Sequence, residues 1–237
     1  MAQVQQSAVR NRLLKAMSAE DFTRLQPHLR LLQVTLRQTL LGPNEAVMQL
    51  FFPESGYASV VADVAGNRVE VGMIGREGLV GASPILLGSE TTPYHEFVQC
   101  PGEMLALDTD AFRAAVDHSP TLRNLMLRYL QTVLIQARQT AYANAAYTMD
   151  VRLARWLLIC HDRLDDDEIP VTHEFLAVML GGHRSGATIT VQTLEGVGLI
   201  KARRGRISVM NRPGLVALTN GSYGLPEAEY ARLIEGA

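Results

Sequence analysis

Residues 172–209 read THEFLAVMLGGHRSGATITVQTLEGVGLIKARRGRISV. Apolar residues recur every three or four positions on both sides of Gly181-Gly182, which predicts two short helices joined by a tight glycine turn. Thr172 is a typical N-cap for the first helix, and the second is expected from His183 to about Gly198. The alternating segment that follows predicts a hairpin whose tip is rich in arginine.

The second helix has two chemically different faces. One face is expected to pack on the first helix through Ala187, Val191, Leu194 and Val197. The opposite face presents Arg184, Ser185, Thr188, Ile189 and Gln192. An arginine can donate two parallel hydrogen bonds to guanine, and amide and hydroxyl groups can reach other bases or phosphates. The spacing therefore predicts a helix that reads the major groove of DNA.

The hairpin complements this helix. Arg203, Arg204 and Arg206 lie at its tip and are typical of contacts with phosphates that do not depend on base sequence. We add Thr172 and His183, where the two helices start, to the predicted DNA interface. The formal net charge of the chain is −2, yet the segment from Val171 to Arg206 contains five cationic residues and only two carboxylates.

Composition limits the other classes of protein. The chain has 237 residues, of which 47% are hydrophobic, enough for a substantial core. Neither a membrane-spanning apolar run nor a signal peptide is visible, so we expect a cytoplasmic location without membrane association. Cys100 and Cys160 are too few for a disulfide framework or a thiolate metal site.

Catalytic chemistry is not indicated. The six histidines include no His-x-His pair, and we find no nucleophile motif and no phosphate-binding glycine loop. The alternative that stays open is a small cupin-like barrel metalloenzyme with a helical appendage. We therefore expect no enzyme activity, no catalytic residue, no metal site and no resident cofactor.

The first half of the chain predicts a small β-barrel. Short helices are expected between residues 7 and 31. Short apolar or alternating runs follow, separated by turn residues, and Ala65-Gly-Asn67 is typical of a hairpin. The predicted strands include Val34–Leu41, 47–52, 57–64, 68–74 and 96–100. Several short strands in fewer than 80 residues favour a barrel or jelly roll.

A long helix is predicted next. Ser119 and Pro120 are an N-cap and a first helical residue, and apolar residues then repeat at three and four as far as Ala141. The apolar stripe is long enough to contact both the barrel and a second copy of the chain, although packing within one core remains an alternative. A further helix is expected at about 148–161, before the acidic loop 164–168.

The chain from about residue 10 to residue 220 resembles bacterial transcription regulators of the Crp/Fnr family. The matching segments are LARWLL (153–158), PVTHEFLA (170–177), the position of Arg184, LE through GLI (194–200), RGRI (204–207), FFPESG (51–56) and VGMIGREGLVG (71–81). The resemblance implies a homodimer that binds a near-palindromic operator in double-stranded DNA, with RNA polymerase as a further partner.

The effector pocket departs from this family. Members that bind cyclic AMP carry a glutamate after the glycine matching Gly81 and an Arg-Ser pair about ten residues later, whereas this chain has Ala82 and the segment 91–95, TTPYH. A cyclic phosphate would lose hydration without gaining a partner, so cyclic AMP is not expected. The effector is unknown, and its pocket is placed at Gly81, Ala82, Ser83, Tyr94 and His95.

Two other branches of the family fit poorly. The iron–sulfur branch needs an N-terminal cysteine cluster, which is missing here, and the haem branch would depend on a histidine such as His95 or His118. Single histidines are far more often structural than ligands. In the reading helix, the family commonly has a glutamate after the arginine, whereas this chain has Ser185. The operator sequence therefore does not follow from the resemblance.

The expected fold class is α+β, with an N-terminal β-roll (a double-stranded jelly-roll barrel), a long dimerisation helix and a C-terminal winged helix-turn-helix. The predicted boundaries are 1–118 for the sensor, 119–147 for the dimerisation helix, 148–220 for the DNA-binding domain and 221–237 for a tail.

Overall fold

The computed structural model describes residues 4–236. Within that range the strands are β1 (Arg30–Val34), β2 (Thr39–Leu41), β3 (Gln49–Pro53), β4 (Tyr57–Val64), β5 (Asn67–Ile74), β6 (His95–Cys100), β7 (Gly102–Asp108), β8 (Glu168–Pro170), β9 (Ile200–Arg203) and β10 (Arg206–Val209). The helices are α1 (Arg12–Lys15), α2 (Ala19–Leu25), α3 (Ala82–Leu86), α4 (Thr109–His118), α5 (Pro120–Ala146), α6 (Met149–His161), α7 (His173–Met179), α8 (Arg184–Gly196), α9 (Arg212–Leu218) and α10 (Leu225–Tyr230), with helical turns at Gln26–His28 and Ala231–Glu235.

The described residues form two compact units. The first contains residues 4–61, 72–135 and 228–236, and the second contains Ala62–Val71 and Gln136–Glu227. The tip of the β4–β5 hairpin thus belongs to the second unit. The domain boundaries expected from the sequence stay predictions.

The first unit is built on antiparallel sheets. One has the strand order β1-β7-β3 and the other the order β2-β6-β4-β5. Leu13, Phe52, Leu105 and Phe112 are among the side chains fully or almost fully buried in its core. The expected α+β class, β-roll and long helix are confirmed.

One predicted strand is wrong. The alternating run from Val34 to Leu41 predicts a single strand, but β1 ends at Val34 and β2 begins at Thr39. Arg37, between them, has φ +66°, a left-handed conformation that breaks the pleat. The chain therefore turns between the two sheets at a point where the residue pattern continues without interruption.

The long helix α5 begins as predicted. The Ser119 hydroxyl accepts the Leu122 N–H at 3.2 Å, which satisfies one of the free N–H groups of the first turn. Farther along, the Tyr129 hydroxyl accepts the Leu79 N–H at 2.9 Å and ties α5 to the loop before α3. Leu127 and Leu134 remain 50% and 48% exposed on the same helix.

The second unit contains the C-terminal helices and a three-stranded antiparallel sheet in the order β8-β10-β9. Helix α6 is buried over most of its length and packs on α8 and α9. Leu153, Trp156 and Leu157 are among its buried side chains. Helix α6 thus supports α8 by direct packing.

Candidate nucleic-acid interface

Helix α7 and the turn after it set the direction of α8. The Thr172 hydroxyl accepts the Phe175 N–H at 3.2 Å, which confirms the predicted cap. At the other end the Gly181 N–H bonds to Val178 O and the Gly182 N–H to Ala177 O, the pattern of a Schellman motif. Gly181 has φ +58°, where a side chain would be strained.

Helix α8 buries one face and exposes the other. Ala187, Val191 and Leu194 are at most 1% exposed and lie against the rest of the unit. The exposed face carries Arg184, Ser185, Ile189 and Gln192. His183, also exposed, precedes the helix as its N-cap residue. Val197 was expected to be buried but is 67% exposed, because the helix ends one residue earlier and the chain turns away at Gly198.

Thr188 is held differently from the other predicted contact residues. Its hydroxyl donates to Arg184 O at 2.9 Å and lies 3.2 Å from His173 Nδ1. The side chain is half-buried, so its hydroxyl is partly committed to internal bonds. The structure therefore places His173 beside the exposed face of α8, a position that sequence reasoning missed because His173 lies in the first turn of a different helix.

The wing is the β9–β10 hairpin. Arg206 pairs with Arg203 across the ladder, which leaves Arg204-Gly205 as a two-residue turn with Gly205 at φ +78°. Arg203, Arg204 and Arg206 are all exposed, and Arg206 Nη1 lies 3.4 Å from Glu168 Oε2. The turn is tied to the unit by the Val171 N–H, which donates to Gly205 O at 3.0 Å. Three guanidinium groups thus project from a fixed hairpin.

The expected effector pocket is only partly assembled. Gly81, at φ +81°, precedes α3, and its N–H donates to Glu96 Oε2 at 3.2 Å. A Cβ on Gly81 would lie 2.9 Å from the Leu50 side chain. Ala82 is buried and Ser83 is half-buried in the first turn of α3. This part of the predicted site is closely packed, with apolar side chains on one side of Gly81 and the Glu96 carboxyl group on its N–H.

Tyr94 and His95 differ from these residues in exposure and contacts. Tyr94 is 42% exposed. His95 Nε2 lies 3.0 Å from Thr39 Oγ1, and its ring stacks at an angle on Phe97 with the centroids 5.1 Å apart. Successive side chains of a strand point to opposite faces, so His95 is directed away from Glu96.

Glu96 is the functional candidate that sequence reasoning missed. Its carboxyl group is buried, and burial raises its pKa to about 7 in spite of the hydrogen bond from Gly81. The sequence contains one indication of this burial: in strand β6, Glu96 lies two residues before the apolar Val98, and alternate residues of a strand share a face. A buried carboxyl group therefore stands where the family resemblance leads us to expect groups that contact a ligand.

Metal ligation finds no support in the described range. No three His, Cys, Asp or Glu side chains between residues 4 and 236 are grouped so that they could hold a metal ion. Cys100 and Cys160 are buried, and burial raises the pKa of the Cys100 thiol to about 11. In the same range, no helix has the length and apolar character needed to cross a membrane.

Comparisons with known proteins agree with this geometry. Residues 151–218 match the model of the Crp-like helix-turn-helix domain. The chain is 24% identical over 155 residues to the global nitrogen regulator of Synechococcus elongatus. The aligned segment covers 62% of this chain and 70% of that protein.

FixK2 and the regulator CLP are two of the solved structures that share the fold. FixK2 from Bradyrhizobium japonicum superposes with a TM-score of 0.69 at 14% identity, covering 80% of this chain and 96% of that one. The c-di-GMP responsive global regulator CLP of Xanthomonas campestris superposes with a TM-score of 0.65 at 19% identity, covering 81% and 99%. Residues 151–218 thus match a Crp-like helix-turn-helix domain, and the chain as a whole shares the fold of these two solved proteins.

Proposed function

We propose that the protein is a homodimeric, cytoplasmic transcription factor that binds a near-palindromic operator and contacts RNA polymerase. One observation supports operator reading above all: the exposed face with Arg184, Ser185 and Gln192 lies on the second helix of a Crp-like helix-turn-helix domain. In such domains this helix enters the major groove, where these side chain types recognise base edges.

The wing supplies the second part of the interface. Arg203, Arg204 and Arg206 are exposed on one hairpin, as expected of cations that neutralise phosphates and release counterions. Such contacts fix the position of the protein on DNA without reading the sequence. Base selectivity is accordingly assigned to α8 and overall affinity to both elements.

Dimerisation is supported by α5. Leu127 and Leu134 are seven residues apart, which is two helical turns, and both are about half exposed. Two copies related by a twofold axis would bury these leucines and present two α8 helices to successive major grooves.

The effector is proposed to be a molecule other than cyclic AMP, or none. The buried Glu96 carboxyl faces the Gly81 N–H beside α3. When ionised, this group would repel a cyclic phosphate, and Ala82 offers no carboxylate for a ribose hydroxyl. A ligand that donates a hydrogen bond suits this position better than an anion.

The experiment is selection of a binding site from random-sequence duplexes, followed by titrations of Arg184→Ala and Arg204→Ala on the selected duplex. We expect Arg184→Ala to cost roughly 1–3 kcal/mol and to relax selectivity at one base position. Arg204→Ala should weaken binding to selected and unrelated duplexes alike and reduce the salt slope by about one. Wild-type binding by both variants would contradict the assignment of the interface.

A further inference from the structure

The β4–β5 hairpin carries a contact that the proposed function does not use. Ala65 and Gly66 both have positive φ, +53° and +83°, and form a two-residue turn between Val64 and Asn67. Turns of this class match the right-handed twist of the flanking strands and keep a hairpin regular up to its tip. The tip, Ala62–Val71, belongs to the same compact unit as the DNA-binding helices.

A buried hydrogen bond joins this tip to α6. Trp156 Nε1 donates to Glu70 Oε1 at 2.8 Å, and the two residues are only 5% and 7% exposed. A hydrogen bond from an indole to a carboxylate is stronger than one between neutral groups. Removal of the Glu70 side chain would take this acceptor from a buried N–H, which costs free energy. Helix α6 in turn packs on α8, the reading helix.

The residue before Glu70 contacts the turn that precedes α8. Both Val69 methyl carbons lie 3.4 Å from the position that a Cβ on Gly181 would take. Arg152, on α6, donates a hydrogen bond to the adjacent carbonyl oxygen of Leu180. The hairpin tip therefore contacts both the helix behind α8 and the glycine turn that sets the direction of α8.

We propose that Glu70 is a positioning residue for base reading: through its bond to Trp156, the hairpin tip fixes α6 and the Gly181 turn so that α8 presents Arg184 correctly. This inference rests on the proposed function of α8. A shift of α8 by about an ångström would spoil bidentate contacts with bases, whereas phosphate contacts by long arginine side chains tolerate it. Selectivity should therefore suffer more than total affinity.

The test compares Glu70→Ala and Glu70→Gln with the wild type on two duplexes, one selected by the wild type and one of unrelated sequence at low salt. Glutamine keeps an acceptor for the indole and should bind like the wild type. Val64→Ala, on the same hairpin at a position that is 72% exposed, is the matched control. Trp156 is the single tryptophan of the chain, so its emission reports the bond directly.

We expect Glu70→Ala to bind the selected duplex about tenfold more weakly, with unrelated duplex affected less than twofold and tryptophan emission altered. Equal losses on both duplexes, or no loss on either, would overturn the inference. Should Glu70→Ala fail to fold, Trp156→Phe replaces it, since it removes the N–H but keeps the aromatic packing, and the same selective loss is expected. Wild-type protein that does not distinguish the two duplexes would instead overturn the proposed function, and this inference with it.

Discussion

At the scale of single residues, Glu96 makes stability depend on pH. The folded state raises the pKa of this carboxyl from 4.5 to about 7, so between these values the folded chain keeps a proton that the unfolded chain releases. The stabilising contribution is therefore complete below pH 4.5 and is lost as pH rises through about 7, a loss on the order of 3 kcal/mol. We expect Glu96→Gln, which keeps an acceptor for Gly81, to gain by this amount relative to the wild type between pH 5 and pH 8.

Urea unfolding at fixed protein concentration measures this difference. Glu174→Gln, at an exposed position in the first turn of α7, is the control for the removal of one surface carboxylate. A constant gap between the wild type and Glu96→Gln across the pH range would show that Glu96 does not titrate differently on folding.

Residue types predicted the reading face better than the pocket. Arg184, Ser185 and Gln192 lie on one helix, where spacing alone fixes which side chains share a face. The burial of Glu96 depends on β6 pairing with β4, more than thirty residues earlier, and on Gly81 in a separate loop. Alternation within β6 puts Glu96 in phase with Val98, but which face of the strand is buried beside Gly81 follows only from this long-range pairing.

At the scale of elements, the two glycines at the end of α8 should have opposite effects on stability when each is replaced by alanine. A Cβ on Gly196, the last residue of the helix, would meet nothing within 4 Å. Gly196→Ala should therefore stabilise the protein by up to about 1 kcal/mol. Gly198 has φ +73°, and its N–H bonds to Glu195 O at 2.9 Å. Gly198→Ala should destabilise by about 1 kcal/mol, because alanine is strained in the left-handed region.

Thermal unfolding of the two variants provides the comparison, and opposite shifts in Tm are expected. Shifts of the same sign would mean that the two glycines do not occupy the helical and left-handed positions assigned to them.

Turn chemistry explains which elements could be predicted. Gly181, the Ala65-Gly66 turn and the Ser119 cap are local devices, and each lies where the sequence indicates. The break at Arg37 was missed because a left-handed arginine has no compositional signature. Strand β7 was missed as well, although it lies between β1 and β3 in its sheet.

At the scale of the whole molecule, the chain order of β-roll, long helix and DNA-binding domain could be predicted from the sequence. The packing of the C-terminal residues 228–236 into the first unit could not. Tyr230 is 5% exposed in the core of the first unit, and the Arg12 guanidinium lies 4.7 Å from the centre of its ring. Arg12 Nε also donates to Glu235 Oε1 at 2.7 Å, a bond between residues 223 positions apart. No pattern within a short window could indicate such a pairing.

The dimer proposed for α5 is tested at this same scale. Introducing carboxylates at Leu127 and Leu134, as Leu127→Glu with Leu134→Glu, would place like charges in an apolar contact between two copies. We expect this variant to sediment as a monomer and to bind the selected duplex at least tenfold more weakly. The reason is that a dimer holds its second reading helix at a high effective concentration beside the second half-site.

Leu87→Glu is the matched control, because Leu87 is 73% exposed and lies beyond the end of α3. It carries the same change of charge per site and should remain dimeric with unchanged affinity for DNA. A dimeric double variant would place the interface elsewhere than on the exposed leucines of α5. A monomeric variant with full affinity would show that one copy suffices, so the operator need not be palindromic.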